Sequence, residues 1–260
     1  MRGKFIKFIL SGAAVMMSML LGGCINTSTS LNYKHSERYT MGGAAIADSV
    51  NSIDINWISG SVDVLTHSDN TVTFSETSDK ELDENNTLYY YLEGDTLHIQ
   101  FGKAGKLNIN QNSPKNLTIY VPEGAGFEDI DVDSVSASCN IQNVTCDTFE
   151  ADTVSGDITA RFNAVSKFMV DSTSADCRLE AFTAPDELEA DMVSGNIELA
   201  IPEGSGFTVS FDSVSGKLNS DFEVTKEDDE YIFGDGNADY SVDTVSGSMR
   251  IEKLDTNIIL

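Results

Sequence analysis

Positive charge is scarce in this 260-residue chain: 16 Lys and Arg stand against 42 Asp and Glu, a formal net charge of −26. Nucleic-acid binding needs a basic footprint, so the balance argues against that class of partner. Histidine is rare too. His35, His67 and His98 all precede the main serine ladder that starts at Ser136, and none sits in a motif that would position a nucleophile. The four cysteines, Cys24, Cys139, Cys146 and Cys177, form no Cys-x-x-Cys pair, so neither zinc nor dithiol chemistry is indicated. Proline occurs four times and never inside the core of a strand-like stretch, which agrees with unbroken backbone ladders. There is no phosphate-binding loop and no His/Cys/Asp/Glu group with metal-ligand spacing.

Long apolar runs are limited to Phe8–Leu21, short of the ~20 residues that a membrane span requires. With Arg2, Lys4 and Lys7 ahead of it, the run has the form of an export signal. It ends in Leu21-Gly22-Gly23-Cys24, which resembles the bacterial lipobox: an aliphatic residue, two small residues and a cysteine. The resemblance implies removal of residues 1–23, lipidation of Cys24 and a membrane anchor on the extracytoplasmic face, since several acyl chains hold a protein stably where one does not. The product would carry 13 basic and 42 acidic residues, net −29. Asn26–Ser30 reads as a flexible tether within residues 24–38, leaving 39–260 as a single domain.

That domain repeats itself. Aligned on Ser59, Ser136, Ser155, Ser174, Ser194, Ser215 and Ser246, the residue six positions earlier is Ile53, Ile130, Phe149, Phe168, Leu188, Val209 or Tyr240. Three positions earlier stand Asn56, Asp133, Asp152, Asp171, Asp191, Asp212 and Asp243; the residue after each serine is Gly or Ala. From Ser136 the spacing is 19, 19, 20, 21 and then 31 residues, the last stretched by the acidic insertion Glu223–Asp239. Two extended runs and two turns in ~20 residues predict one rung of an all-β parallel solenoid, with apolar columns stacked rung on rung. The Ser59 copy, with its divergent Asn56 and Trp57, is expected to cap the array. The 77 residues from Ser59 to Ser136 contain no copy and read as alternating strands at Thr71–Ser75, Thr87–Glu93, Thr96–Phe101 and Leu117–Val121, with a hairpin at Glu93-Gly94-Asp95, so a few antiparallel strands are expected near the N-terminus. Cys139 and Cys177 share a column with Ile158 between them, ~10 Å apart at strand spacing and beyond disulfide reach, so the thiols are expected free and buried.

Taken together, the repeated Asp-x-Val-Ser-Gly, the turns Val121-Pro122-Glu123-Gly124 and Ile201-Pro202-Glu203-Gly204, and the late Gly234–Gly247 stretch resemble the bacterial DUF4097 family. The resemblance covers about Ile53 to Leu254. It implies a β-solenoid or β-roll at the cell surface with an adhesin-type label and no defined activity.

The aspartate column Asp133, Asp152, Asp171, Asp191 and Asp212 is the most tempting site. Successive rungs would set these charges ~5 Å apart, repelling by ~3 kcal/mol at the effective dielectric of a protein surface. The first expectation is structural: each carboxylate accepts N–H groups of the following turn. A Ca²⁺ ladder is the functional alternative, although the Gly-Gly-x-Gly-x-Asp pattern of calcium rolls is absent. The serine column is expected to form a hydrogen-bond ladder. Trp57 and Tyr89-Tyr90-Tyr91 read as strand residues, partly core, rather than a sugar platform. The function expected is a non-enzymatic binding or adhesin-like module with no resident cofactor. The alternatives are capture of cationic antimicrobial peptides or Ca²⁺ and, behind those, a carbohydrate-active β-helix enzyme with acids that break the repeat.

Overall fold

The computed structural model describes residues 33–105 and 114–254; the export signal, Cys24, the Asn26–Ser30 tether and Lys106 lie outside them. The described fold is all-β apart from a 3-10 turn at Ser36–Arg38. Alternation decides which side chains enter the core. In the strand Ser52–His67, Ile53, Ile55, Trp57, Val62 and Val64 are buried, and the intervening residues face outward. Each rung bends at its Ser-Gly corner, so its first half joins one wall (A), its second half joins a second wall (B), and a single apolar layer lies between. Phe149, Phe162 and Phe168 pack there with ring centroids 5.3–6.2 Å apart.

The register of the repeat is as the alignment predicts. β1 (Thr40–Met41), β2 (Ala44–Ile46) and β3 (Ser52–His67) open the fold, followed by β4 (Val72–Ser78), β5 (Tyr89–Glu93), β6 (Thr96–Gln100) and β7 (Lys115–Pro122). The long β8 (Gly126–Thr153) and β9 (Ile158–Ser174) run through several corners, and β10 (Cys177–Ala181), β11 (Glu187–Ser194) and β12 (Ile197–Ile201) continue the coil. Ser59 pairs with Ser136 across 77 residues of sequence. Phe149 pairs with Phe168, and Ile158 lies between Cys139 and Cys177. All three described cysteines are free and buried, and burial pushes each thiol up to about 12.

The order of the rungs departs from chain order at both ends. The Ser59 copy does not cap the array. β6 and β7 both run parallel to β3 and together build one further rung outside it, so of the four stretches in the region expected to hold antiparallel strands two are parallel solenoid strands. β5 and β4 then lie antiparallel on the outer edges of β6 and β7. At the other end, β13 (Phe207–Ser213) and β14 (Leu218–Ser220) form the outermost rung. The insertion folds as a hairpin, β15 (Thr225–Glu227) and β16 (Glu230–Phe233), with β16 antiparallel to β13. The chain then returns as β17 (Ala238–Thr244) and β18 (Met249–Lys253), which slot between the Ser194 and Ser215 rungs. Asp212 is therefore not the neighbour of Asp191; Asp243 stands between them. At the N-terminal end β4 and β5 cover the parallel edges of β7 and β6, and at the C-terminal end β16 covers that of β13, which blunts edges that would otherwise invite pairing with another chain.

Candidate binding face

Wall A presents its outer face as parallel rows, because every second residue of each strand points out of the core. Five positions before the serine the row reads Asp54, Asp131, Glu150, Met169 and Glu189; two residues on it reads Asn56, Asp133, Asp152, Asp171, Asp191, Asp243 and Asp212. Strand spacing sets neighbours in a row ~4.8 Å apart. Against these carboxylates the face offers Lys167, whose Nζ is 2.9 Å from Glu187 Oε1 and 3.5 Å from Glu189 Oε2. At its N-terminal end it offers His98, whose Nδ1 is 2.6 Å from Asp54 Oδ2. A groove of about 280 Å³ opens there, lined by Asp54, His98, Asp129, Asp131, Thr148 and Glu150.

The turn does not use the aspartates as expected. The N–H of Gly156 is held by Thr153 Oγ1 at 3.0 Å, that of Gly216 by Ser213 Oγ at 2.7 Å and that of Gly247 by Thr244 Oγ1 at 3.0 Å. In these three copies the hydroxyl one residue after the aspartate points inward and holds the corner N–H in place of the carboxylate. A separate ladder two residues after the serine ties the rungs together. Asp157 Oδ1 accepts from Asp176 N, Asp176 Oδ1 from Asn196 N, Asn196 Oδ1 from Ser248 N, and Ser248 Oγ from Lys217 N. The serines behave as expected: Ser136, Ser155, Ser194, Ser246 and Ser215 each donate from Oγ to a carbonyl of the preceding rung in space.

Released from turn duty, the outward carboxylates are poorly solvated. Burial, and then the charges of Asp133, Asp54 and Glu150, push Asp131 up to about 8. Burial followed by Asp152 raises Asp133 and Asp171 to about 7, and burial also raises Glu150 and Asp191. The consequence for stability has a definite sign. A carboxyl whose folded pKa lies above its unfolded value near 3.8 contributes stability that is fully present below that value. That stability is lost as pH rises through about 7–8. The melting temperature is therefore expected to fall between about pH 5 and pH 8, and scanning calorimetry across that range reads it.

The sequence reading missed the row containing Asp54, Asp131 and Glu150, because that column is chemically mixed and a repeat alignment does not single it out. Period-two counting back from the aspartate column finds it. It also missed the His98–Asp54 pair, which the parallel placement of β6 on β3 creates. Trp57 is fully buried, edge-on to Phe101 at 4.9 Å, and Tyr90 packs on Phe74. Tyr91 stacks on His98 at 6.4 Å.

Several solved structures resemble the chain. A candidate cell adhesion protein from Clostridium sporogenes is 12% identical, with a TM-score of 0.49 over 83% of this chain and 100% of that one. A candidate adhesin from Bacteroides fragilis is 11% identical over 83% and 97%, TM-score 0.32. A candidate lipid-binding protein from Parabacteroides distasonis is 14% identical over 84% and 97%, TM-score 0.33. No curated protein matches at a significant level. The decisive match is to a family model, Toastrack DUF4097, over residues 49–186 and 165–252, which together take in every rung of the coil. The chain belongs to the Toastrack family DUF4097.

Proposed function

We propose that this protein is a non-enzymatic binding module, held outside the cytoplasmic membrane by lipid on Cys24, that offers the outer face of wall A to a cationic partner. One observation carries the reading. The carboxylates of that face are partly desolvated and crowded by one another while the Gly156 turn is built by another group, and the Lys167 and His98 pairs offset only part of that charge. A row kept at such a cost is best explained by a partner that neutralises it. The carbohydrate-enzyme alternative is disfavoured because the groove carboxylates Asp54, Asp131 and Glu150 lie on parallel strands in regular register, with no break of the coil to form a cleft.

The test uses the chain from Ile25 onward, which holds every residue of the described fold, with a lysine homopolymer as probe. Binding is expected at about 50 mM salt and is expected to weaken steeply by about 500 mM. The pair Asp133→Asn and Asp171→Asn should weaken it several-fold. Salt-independent binding, or none, contradicts the reading. A melting temperature that climbs with calcium concentration would make Ca²⁺ the ligand instead. In cells, Cys24→Ala should abolish both labelling by a fatty-acid analogue and partition into detergent; labelling that persists would refute the anchor.

A further inference from the structure

The outward row beyond the aspartates lies one residue before each serine. On the inner rungs it is half-covered, but at the C-terminal end Val193, Val245 and Val214 are 40%, 46% and 83% exposed. A single exposed valine is ordinary; three abreast are not. Ser246 N donates to Val193 O at 3.1 Å and Ser215 N donates to Val245 O at 3.2 Å, so the three valines occupy successive rungs. Because β17 slots between β11 and β13, Val245 stands between Val193 and Val214 in this apolar row. Two residues earlier, Asp191, Asp243 and Asp212 stand in register. Val193 lies within β11, and Val245 and Val214 lie one residue past the ends of β17 and β13, so the exposed valines line the corner ~7 Å from the aspartates. The result is a two-lane strip, one lane anionic and one apolar, running along the solenoid axis.

We propose that this strip docks an amphipathic cationic helix, with basic residues over the aspartates and an apolar stripe over the valines. The proposal rests on the reading of wall A as a binding face and names where on it a partner sits and of what kind. Charge complementarity selects a cationic partner, and the valine lane selects one with an apolar side. The periods agree: a helix rises ~5.4 Å per turn against ~4.8 Å per rung, so residues one turn apart meet successive rungs over a few turns. A second copy of this chain is disfavoured, because a face-to-face pair would oppose one aspartate row to another.

The experiment measures binding of two synthetic peptides of about 18 residues to the chain from Ile25 onward, both made of Lys and Leu in the same proportion. One is patterned as an amphipathic helix and the other is scrambled. The patterned peptide is expected to bind about tenfold more tightly. The double variant Val214→Ser and Val245→Ser should erase that preference without shifting the melting temperature, since both side chains are exposed. If the two peptides bind alike and the valine variant behaves as the parent, the strip is not the dock, although the acidic face remains a cation binder. If neither binds at low salt, the reading of the face itself fails. If the parent sediments as a dimer that the valine variant dissociates, the occupant is a second copy and the proposal is overturned.

Discussion

Lys115→Met is expected to destabilise the fold by about 3–5 kcal/mol, the cost of breaking a buried ion pair from one side. Lys115 is 1% exposed, at the head of β7 in the outermost N-terminal rung. Its Nζ lies 2.6 Å from Glu76 Oε2 and 2.6 Å from the Asn86 carbonyl, and it also donates to the Phe101 carbonyl. The rings of Phe101 and Trp57 flank it at 4.1 and 4.8 Å. Glu76 in turn accepts from Leu88 N at 2.7 Å, so one ammonium gathers β4, the turn before β5, the end of β6 and β7. Burial lowers the Lys115 pKa while Glu76 opposes that shift. Methionine would leave the Glu76 charge buried and two carbonyls without a donor. At ~2–4 °C per kcal/mol for a domain of this size, the melting temperature should fall by about 10 °C. Adding Glu76→Gln keeps an acceptor for Leu88 and removes the stranded charge, so the double variant should recover much of the loss. A single variant within 1 kcal/mol of the parent, or a double variant no better than the single, would contradict this account of the cap.

Gly156→Ala should cost about 3 kcal/mol or more. A Cβ at Gly156 would sit 1.8 Å from the carbonyl oxygen of Ala137 on the adjacent rung, and backbone cannot swing aside as a side chain can. The same contact recurs at Gly60 against Lys115 and at Gly195 against Ala175. Gly195 also has φ +111°, whereas Gly156 does not lie in the positive-φ region, so Gly156 isolates close approach from backbone strain. The column also explains its alanines. Ala137 stands between Gly60 and Gly156, and Ala175 between Gly156 and Gly195, so residues with and without a Cβ alternate along the column and Gly156 and Gly195 each lie against an alanine's backbone. Ala175→Gly should therefore cost no more than about 1 kcal/mol. Urea denaturation of the pair reads the asymmetry; equal losses would show that the corner does not depend on rung contact.

Much of the fold was legible because a solenoid writes its packing into a column alignment. Phe149 over Phe168 and Ile158 between Cys139 and Cys177 follow from counting residues. Rung order was not legible, since every rung carries the same register and a copy fits equally well on either side of its neighbour. What decides the order is which edge the insertions cover, and β4, β5 and β16 are too short and irregular to announce that. The outermost N-terminal rung was hidden for a related reason. It is assembled from β6 and β7 with a loop between them, and Lys115 replaces the glycine of the motif. The aspartates were assigned to the turn because Asp so often serves there; the hydroxyls of Thr153, Ser213 and Thr244, one residue further on, have the parity that reaches it. The valine lane was written in every Asp-x-Val-Ser copy, but which of those valines stand exposed is decided by packing that a repeat alignment does not contain.

The most direct test of the central claim is calorimetry of the chain from Ile25 onward between about pH 5 and pH 8, beside the variant Asp133→Asn with Asp171→Asn. If the outward carboxylates are held at a cost for a partner, the parent melts at a higher temperature at pH 5 than at pH 8. The variant should then exceed the parent at pH 8 and show a flatter profile. If instead the parent gains stability as pH rises and the asparagines lower it, the carboxylates are stabilising elements of the coil and wall A is not a face reserved for binding.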